Sequence, residues 1–142
     1  MKAFKSLAPA LGAFLISCGA DNALITDPNQ IVKEFNQKVI YGKDFNSCVK
    51  IVSNHVYTGV IFRHGILPTK EQAKAVCKEY IDIARSSGMF SMHGIKDFEV
   101  SGVELQDGRY VASLFLVKED GSKEPAGNFV LRKVNNRWVM EL

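Results

Sequence analysis

The chain has 142 residues, 46% of them hydrophobic and 23% charged. That is room for one domain, with enough apolar surface to offset the entropy of ordering, which excludes wholesale disorder. The net charge of +3 falls almost to balance once Lys2 and Lys5 are set aside, so no broad basic surface for nucleic acid is implied.

Met1 to Ser17 opens with Lys2 and Lys5, followed by an uncharged apolar run from Leu7 to Ile16. That run is too short to span a bilayer core of about 30 Å, and it has no polar side for an amphipathic helix. Its length and flanks fit a secretory signal peptide. Leu15-Ile16-Ser17-Cys18 then resembles a bacterial lipobox, with Leu at −3, a small residue at −1 and Cys at +1. The resemblance implies that Cys18 is lipidated and becomes the first residue of the mature chain. Two or three acyl chains make such an anchor stable. The alternative is ordinary cleavage after Ala20, which would yield a soluble secreted or periplasmic protein. Gly19 to Thr26 is a tether reaching at most about 28 Å. Gly19 stands at +2, where an Asp would retain a lipoprotein in the inner membrane, and this favours the outer membrane of a bacterial cell envelope. The expected layout is a signal peptide over 1–17, a lipidated cysteine and tether over 18–26, and a domain over 27–142.

Of the three cysteines, Cys48 and Cys77 remain once Cys18 is lipidated or removed. An oxidising compartment favours pairing them, and two buried free thiols are the alternative. Nothing marks either thiol as an activated nucleophile.

Asp27-Pro28 reads as the N-cap and first position of a helix. Ile31, Val32, Phe35 and Val39 form its apolar stripe, and Gly42 ends it. Asp44 to about Ser53 reads as a second helix with Phe45, Cys48, Val49 and Val52 on its apolar face. Asn54 to Leu67 has no clear period and reads as a connector with a short strand around Val60 to Phe62. Thr69 and Gln72 form a capping-box pattern that opens a helix to Ser86, with Gly88 after it. Its expected core face is Ala73, Val76, Cys77, Tyr80, Ile83 and Ala84. Lys70, Lys74, Lys78 and Asp82 lie on its solvated side.

From Gly94 the period becomes two. Strands are expected over Ile95–Leu105, Arg109–Lys118, Pro125–Lys133 and Arg137–Leu142, joined by turns at Asp107-Gly108, Asp120-Gly121 and Asn135-Asn136. A bulge at Ser101-Gly102 would bring Phe98, Val100, Val103 and Leu105 onto one face. Ala112, Leu114 and Leu116 share one face of the second strand, and Val111, Phe115 and Val117 share the other. Trp138, Met140 and Leu142 share a face of the last. Helices followed by a bent four-stranded antiparallel sheet define an α+β fold in which the sheet wraps the helices into a cone.

These features together resemble the nuclear transport factor 2-like superfamily, with its cystatin-like cone, and more closely a group of small bacterial lipoproteins within it. The residues that carry the resemblance are Pro28, Val32 and Phe35, then Gly42-Lys43-Asp44-Phe45 and Ile95-Lys96-Asp97-Phe98. Val103-Glu104-Leu105, Asp107-Gly108, Ala112 and the closing Asn136-Arg137-Trp138-Val139 complete them. The last stands where the family closes on a Gly-Lys-Trp-Lys-Ile pattern.

The resemblance implies a cone that either carries an Asp, His or Tyr as acid or base, as in ketosteroid isomerase, or only binds and dimerises. His55, His64, Tyr110 and Trp138 are the candidate pocket residues, with His93 and Asp97 as further candidate acid–base groups. His spacing matches no standard zinc pattern, and no Gly-rich phosphate loop occurs, so no metal or cofactor is implied. Val111, Phe115 and Val117 make the outer sheet face apolar, where superfamily members often dimerise, and a homodimer or a partner contact is expected there. Three readings follow: a non-catalytic envelope lipoprotein that binds a small apolar ligand or a protein partner, a periplasmic isomerase, dehydratase or hydrolase, or a structural envelope component.

Overall fold

A computed structural model describes residues 24–57 and 67–141. The expected signal peptide, Cys18, His64, Leu142 and the strand around Val60 to Phe62 lie outside the described residues.

Helix α1 (Pro28–Glu34) runs on as a π-helical segment, Phe35–Ile40. Asp27 caps it by accepting from Asn29 N at 2.9 Å, with Pro28 in the first turn. Asn36 is buried and donates from Nδ2 to Val32 O at 2.8 Å, inserting a side chain into the helical ladder where the wider turn begins. Gly42 then ends the helix, and a Cβ there would lie 2.7 Å from Gln37 O and Lys38 O. Helix α2 (Phe45–His55) runs two residues past the expected end and carries His55 out of the connector. Its buried residues are Cys48, Ile51, Val52 and His55, whereas Phe45 is 39% exposed. The first residue of the helix thus points away from the seam against which the next turns pack.

Strand β1 (Val56–Tyr57) follows directly and pairs parallel with the last strand. Helix α3 (Lys70–Ser87) has the Thr69/Gln72 capping box and ends on left-handed Gly88 (φ 70°). Ala73, Cys77, Ile81 and Ala84 are buried, while Ile83 is 56% exposed. At about 100° per residue, Ile81 falls within about 40° of Cys77 and Ile83 about 120° from it, so Ile81 takes the core position expected for Ile83. A disulfide joins Cys48 of α2 to Cys77 of α3.

Strands β2 (Ile95–Glu104), β3 (Tyr110–Lys118), β4 (Lys123–Val134) and β5 (Arg137–Glu141) form the expected antiparallel meander. With β1 at one edge, the sheet order is β1-β5-β4-β3-β2. Asn135 (φ 51°) and Asn136 (φ 66°) make the two-residue turn whose twist suits a hairpin.

No bulge occurs at Ser101-Gly102. Register runs unbroken from Asp97↔Val117 to Glu104↔Tyr110, so Val103 stays on the outer face and is 60% exposed. The glycine has a different cause. Tyr110 lies across it, and a Cβ on Gly102 would come within 2.4 Å of the ring. The register shifts instead between Ile95 and Asp97 at the start of β2, and between Leu114 and Phe115, where β4 gains Ala126 beside Gly127 (φ 134°).

Phe98, Ala112, Leu114, Leu116, Leu131, Trp138 and Met140 face inward and are buried. Ile31, Val32, Phe35, Val39, Ile51 and Val52 from the helices meet part of this wall in one continuous cluster. Phe98, Leu114 and Leu116 form a second cluster under Tyr41. The cone's concavity is thus occupied by the helices' apolar side chains.

Candidate functional site

Of the four expected pocket residues, His55, Tyr110 and Trp138 come together. His55 is 1% exposed at the end of α2. One ring nitrogen, Nε2, accepts from the backbone N–H of Ile25 at 3.0 Å. Nδ1 lies 2.9 Å from Trp138 O. A carbonyl can only accept and an amide N–H can only donate, so the ring is neutral with its proton on Nδ1. Burial pushes the imidazole below its ordinary range and Arg137 adds to this, against opposing pulls from the Trp138 carbonyl and Glu34. Both ring nitrogens are committed to backbone. His55 fastens the start of the domain to β5 and does not line the mouth of the cone.

Tyr110 and Trp138 stack obliquely, with ring centroids 5.7 Å apart. The Tyr110 hydroxyl donates to Asn29 Oδ1 at 2.8 Å, closing β3 over α1. Lys133 Nζ lies 5.2 Å from the centre of the Trp138 ring. These aromatics are core anchors and join the main cluster. Asp97 is exposed on edge strand β2, where Lys33 lies 3.8 Å away, and His93 is exposed just before it. The sheet order puts them at the opposite edge from β1, next to which His55 sits. The candidate acid–base groups are therefore not assembled around one point. Among the described residues no group of three His, Cys, Asp or Glu side chains is placed to hold a metal ion.

An open cleft lies elsewhere, between the outer side of α2 and the first turns of α3. Its volume is about 590 Å³, and its lining comprises Phe45, Asn46, Val49, Lys50, Ser53, Asn54, Lys70 and Lys74. The α2 residues recur at helical spacing and form one stripe, with Phe45 and Val49 as its apolar part. Among the described residues no carboxylate lines the cleft. Just outside it, Glu71 lies 3.4 Å from Lys74. Ser53 Oγ is buried and has no hydrogen-bond partner among the described residues. The disulfide fixes the two walls, since Cys48 adjoins Val49 and Cys77 lies one turn beyond Lys74.

Periodicity reads Lys70 and Lys74 as a wet helix face, which is true of each alone. What it misses is that α2 packs beside them and adds Lys50. No local signal marks it, because periodicity places Phe45 on the apolar face with Cys48 and only the structure shows it exposed.

A bent antiparallel sheet wrapped around helices, here with its hollow filled, defines the NTF2-like fold. Comparison with solved structures supports this. The chain is similar to a Campylobacter jejuni protein named provisionally as an NTF2-like transpeptidase, at 15% identity and a TM-score of 0.53. The match covers 82% of this chain and 99% of that one. A chain named Rd1NTF2_05 (13% identity, 78% and 90% coverage, TM-score 0.36) also matches. So does Aln2 from a Streptomyces species (14% identity, 82% and 88% coverage, TM-score 0.30). The last two scores are too low to add to the argument. No family model and no curated protein matches the chain.

Proposed function

We propose that the chain is a cell-envelope lipoprotein, anchored through Cys18, whose NTF2-like domain is a non-catalytic binding or interaction module. The observation that carries the non-catalytic reading is the state of the cone. Apolar side chains occupy it, and the buried His55 spends both nitrogens on backbone groups. A general base needs a free lone pair within reach of a substrate proton, and His55 has none to offer.

The name of the Campylobacter protein raises a transpeptidase as the enzymatic alternative. Acyl transfer needs an activated nucleophile. Both described cysteines are consumed in the disulfide. Among the described residues no serine hydroxyl is bonded to a histidine ring. The anchoring half of the reading draws on the lipobox, on Gly19 at +2 for the outer membrane, and on a disulfide suited to an oxidising compartment.

Native mass spectrometry of the protein extracted from membranes tests the anchor, and an activity assay tests the non-catalytic half. Acyl mass on a chain beginning at Cys18 is the expected result. A soluble product cut after Ala20, or one retaining Met1, overturns the anchor. Turnover of a supplied peptide or ester by the purified protein overturns the non-catalytic half.

A second copy is the proposed partner of the outer sheet face. The favouring observation is a cross-strand row of valines, Val103↔Val111↔Val130, beside half-buried Phe115 and Val117. Light scattering on Val111→Lys checks it: a wild-type dimer that this change makes monomeric is expected, and a monomeric wild-type refutes it.

A further inference from the structure

We propose that the cleft between α2 and α3 binds a phosphate ester, holding the phosphate on Lys50, Lys70, Lys74 and Ser53 and the apolar substituent on Phe45 and Val49. The proposal rests on the non-catalytic binding reading and names its ligand class, but it does not depend on the lipid anchor. It places the binding site on the helical face, outside the cone that the fold would suggest.

The lining decides the ligand's charge. Lys50, Lys70 and Lys74 all line the cleft, no carboxylate does so among the described residues, and of the three lysines only Lys74 has an ion-pair partner, Glu71. Among the described residues, Lys50 and Lys70 have no ion-pair partner for their ammonium groups. Most other lysines of the helices do: Lys38 pairs with Glu34, Lys78 with Asp82 and Lys33 with Asp97. The 18-residue α3 also begins here, and the positive end of its dipole adds to the same field.

Ser53 supplies the independent sign. Buried hydroxyls nearly always find a partner, because an unmet one costs free energy. This one has none among the described residues, and its residue lines the cleft. A turn of the Ser53 side chain about χ1 toward the cleft lets a phosphate oxygen accept from the hydroxyl while other oxygens take the lysines. Phe45 is the third sign. An aromatic residue left 39% exposed beside Val49 gives the cleft an apolar shelf that a bare inorganic anion would not use. Cation, hydroxyl and apolar shelf together fit a phosphate that carries an apolar group. Both a soluble ester and the headgroup region of a phospholipid have that chemistry.

The test is an amide NMR titration of the purified full chain with phenyl phosphate, inorganic phosphate and phenol. Phenyl phosphate should shift Val49, Ser53 and the first turn of α3, and bind at least about fivefold more tightly than inorganic phosphate. Phenol should give no saturable shift. Lys70→Gln with Lys74→Gln should weaken phenyl phosphate about tenfold, as expected for losing charge-assisted bonds. Ser53→Ala should weaken it about threefold, and thermal melts verify that both variants remain folded.

Shifts scattered over all surface lysines, or affinity unchanged in both variants, overturn the proposal. A second arm separates the sources, using neutral vesicles with and without an anionic phospholipid. Loss of anionic-vesicle binding in the double lysine variant assigns the ester to a membrane lipid. Unchanged vesicle binding alongside weakened phenyl phosphate binding assigns it to a soluble ester. The vesicle arm is read on the full chain carrying Cys18→Ala, which has no acyl group of its own to insert, and the NMR readout does not depend on lipidation, so failure of the anchor and failure of the cleft remain distinguishable.

Discussion

Replacing His55 by Ala should cost the domain about 3 kcal/mol. The side chain bridges Ile25 N–H and Trp138 O from a site only 1% exposed. Each buried group left without its partner costs about 1–3 kcal/mol. The Ile25 end is only partly buried, so water recovers some of its share. The void left by the ring adds to the total on the order of 1 kcal/mol. For a domain of this size, roughly 4 °C per kcal/mol converts this to a fall in Tm of about 12 °C.

The pH dependence is the more specific readout. His55 titrates below its ordinary 6.5 in the fold because burial disfavours the cation. As pH falls, the unfolded chain therefore takes up a proton before the native one does. The stability His55 contributes is fully present above about pH 7 and is lost as pH drops through 6.5 toward the lowered native value. Protonation also turns Nε2 into a donor facing the Ile25 N–H donor. Between pH 7.5 and 5.5 the wild-type loss from this group is at most about 1.4 kcal/mol. Glu34 faces the same region, but its carboxyl is held below 4.5 and titrates under this window. Urea unfolding of both proteins at the two pH values measures the difference. A variant that melts within about 3 °C of wild-type, or that keeps the wild-type pH slope, refutes the assignment of His55 as a buried neutral bridge.

Removing the disulfide with Cys48→Ser and Cys77→Ser should cost about 3–4 kcal/mol, the loop-closure value for a separation of 29 residues, read by denaturant unfolding with and without reductant. Gly102→Ala should destabilise by about 1–3 kcal/mol, because the new methyl meets the Tyr110 ring; loss of the Tyr110–Asn29 contact, read by NMR, accompanies it. Ile81→Ala should cost about 2–4 kcal/mol and Ile83→Ala under about 0.5 kcal/mol, and thermal melts giving the reverse order would contradict the assigned face of α3.

The helices and hairpins were legible because their signals are local. Thr69 with Gln72 caps a helix wherever it occurs, and Asp27-Pro28 opens one for the same reason. Asn135-Asn136 can adopt positive φ at both turn positions without help from the rest of the fold. Ala112, Leu114 and Leu116 alternate so regularly that their burial follows from period two. The Cys48–Cys77 pairing followed from counting the thiols left once Cys18 is set aside.

Other features depend on neighbours distant in sequence. Gly102 looks like a bulge until Tyr110, on the next strand, is seen lying over it. His55 sits in an unpatterned stretch, and its role needs Ile25 on one side and Trp138 on the other. The cleft needs Lys50 from one helix beside Lys70 and Lys74 from another. Sequence by itself determined the elements and the cone they build, since caps, turns and alternation act over a few residues. Only the tertiary structure decided that the cone is filled and the open cleft lies on the helical face, because side-chain filling and charge convergence arise when separate elements meet.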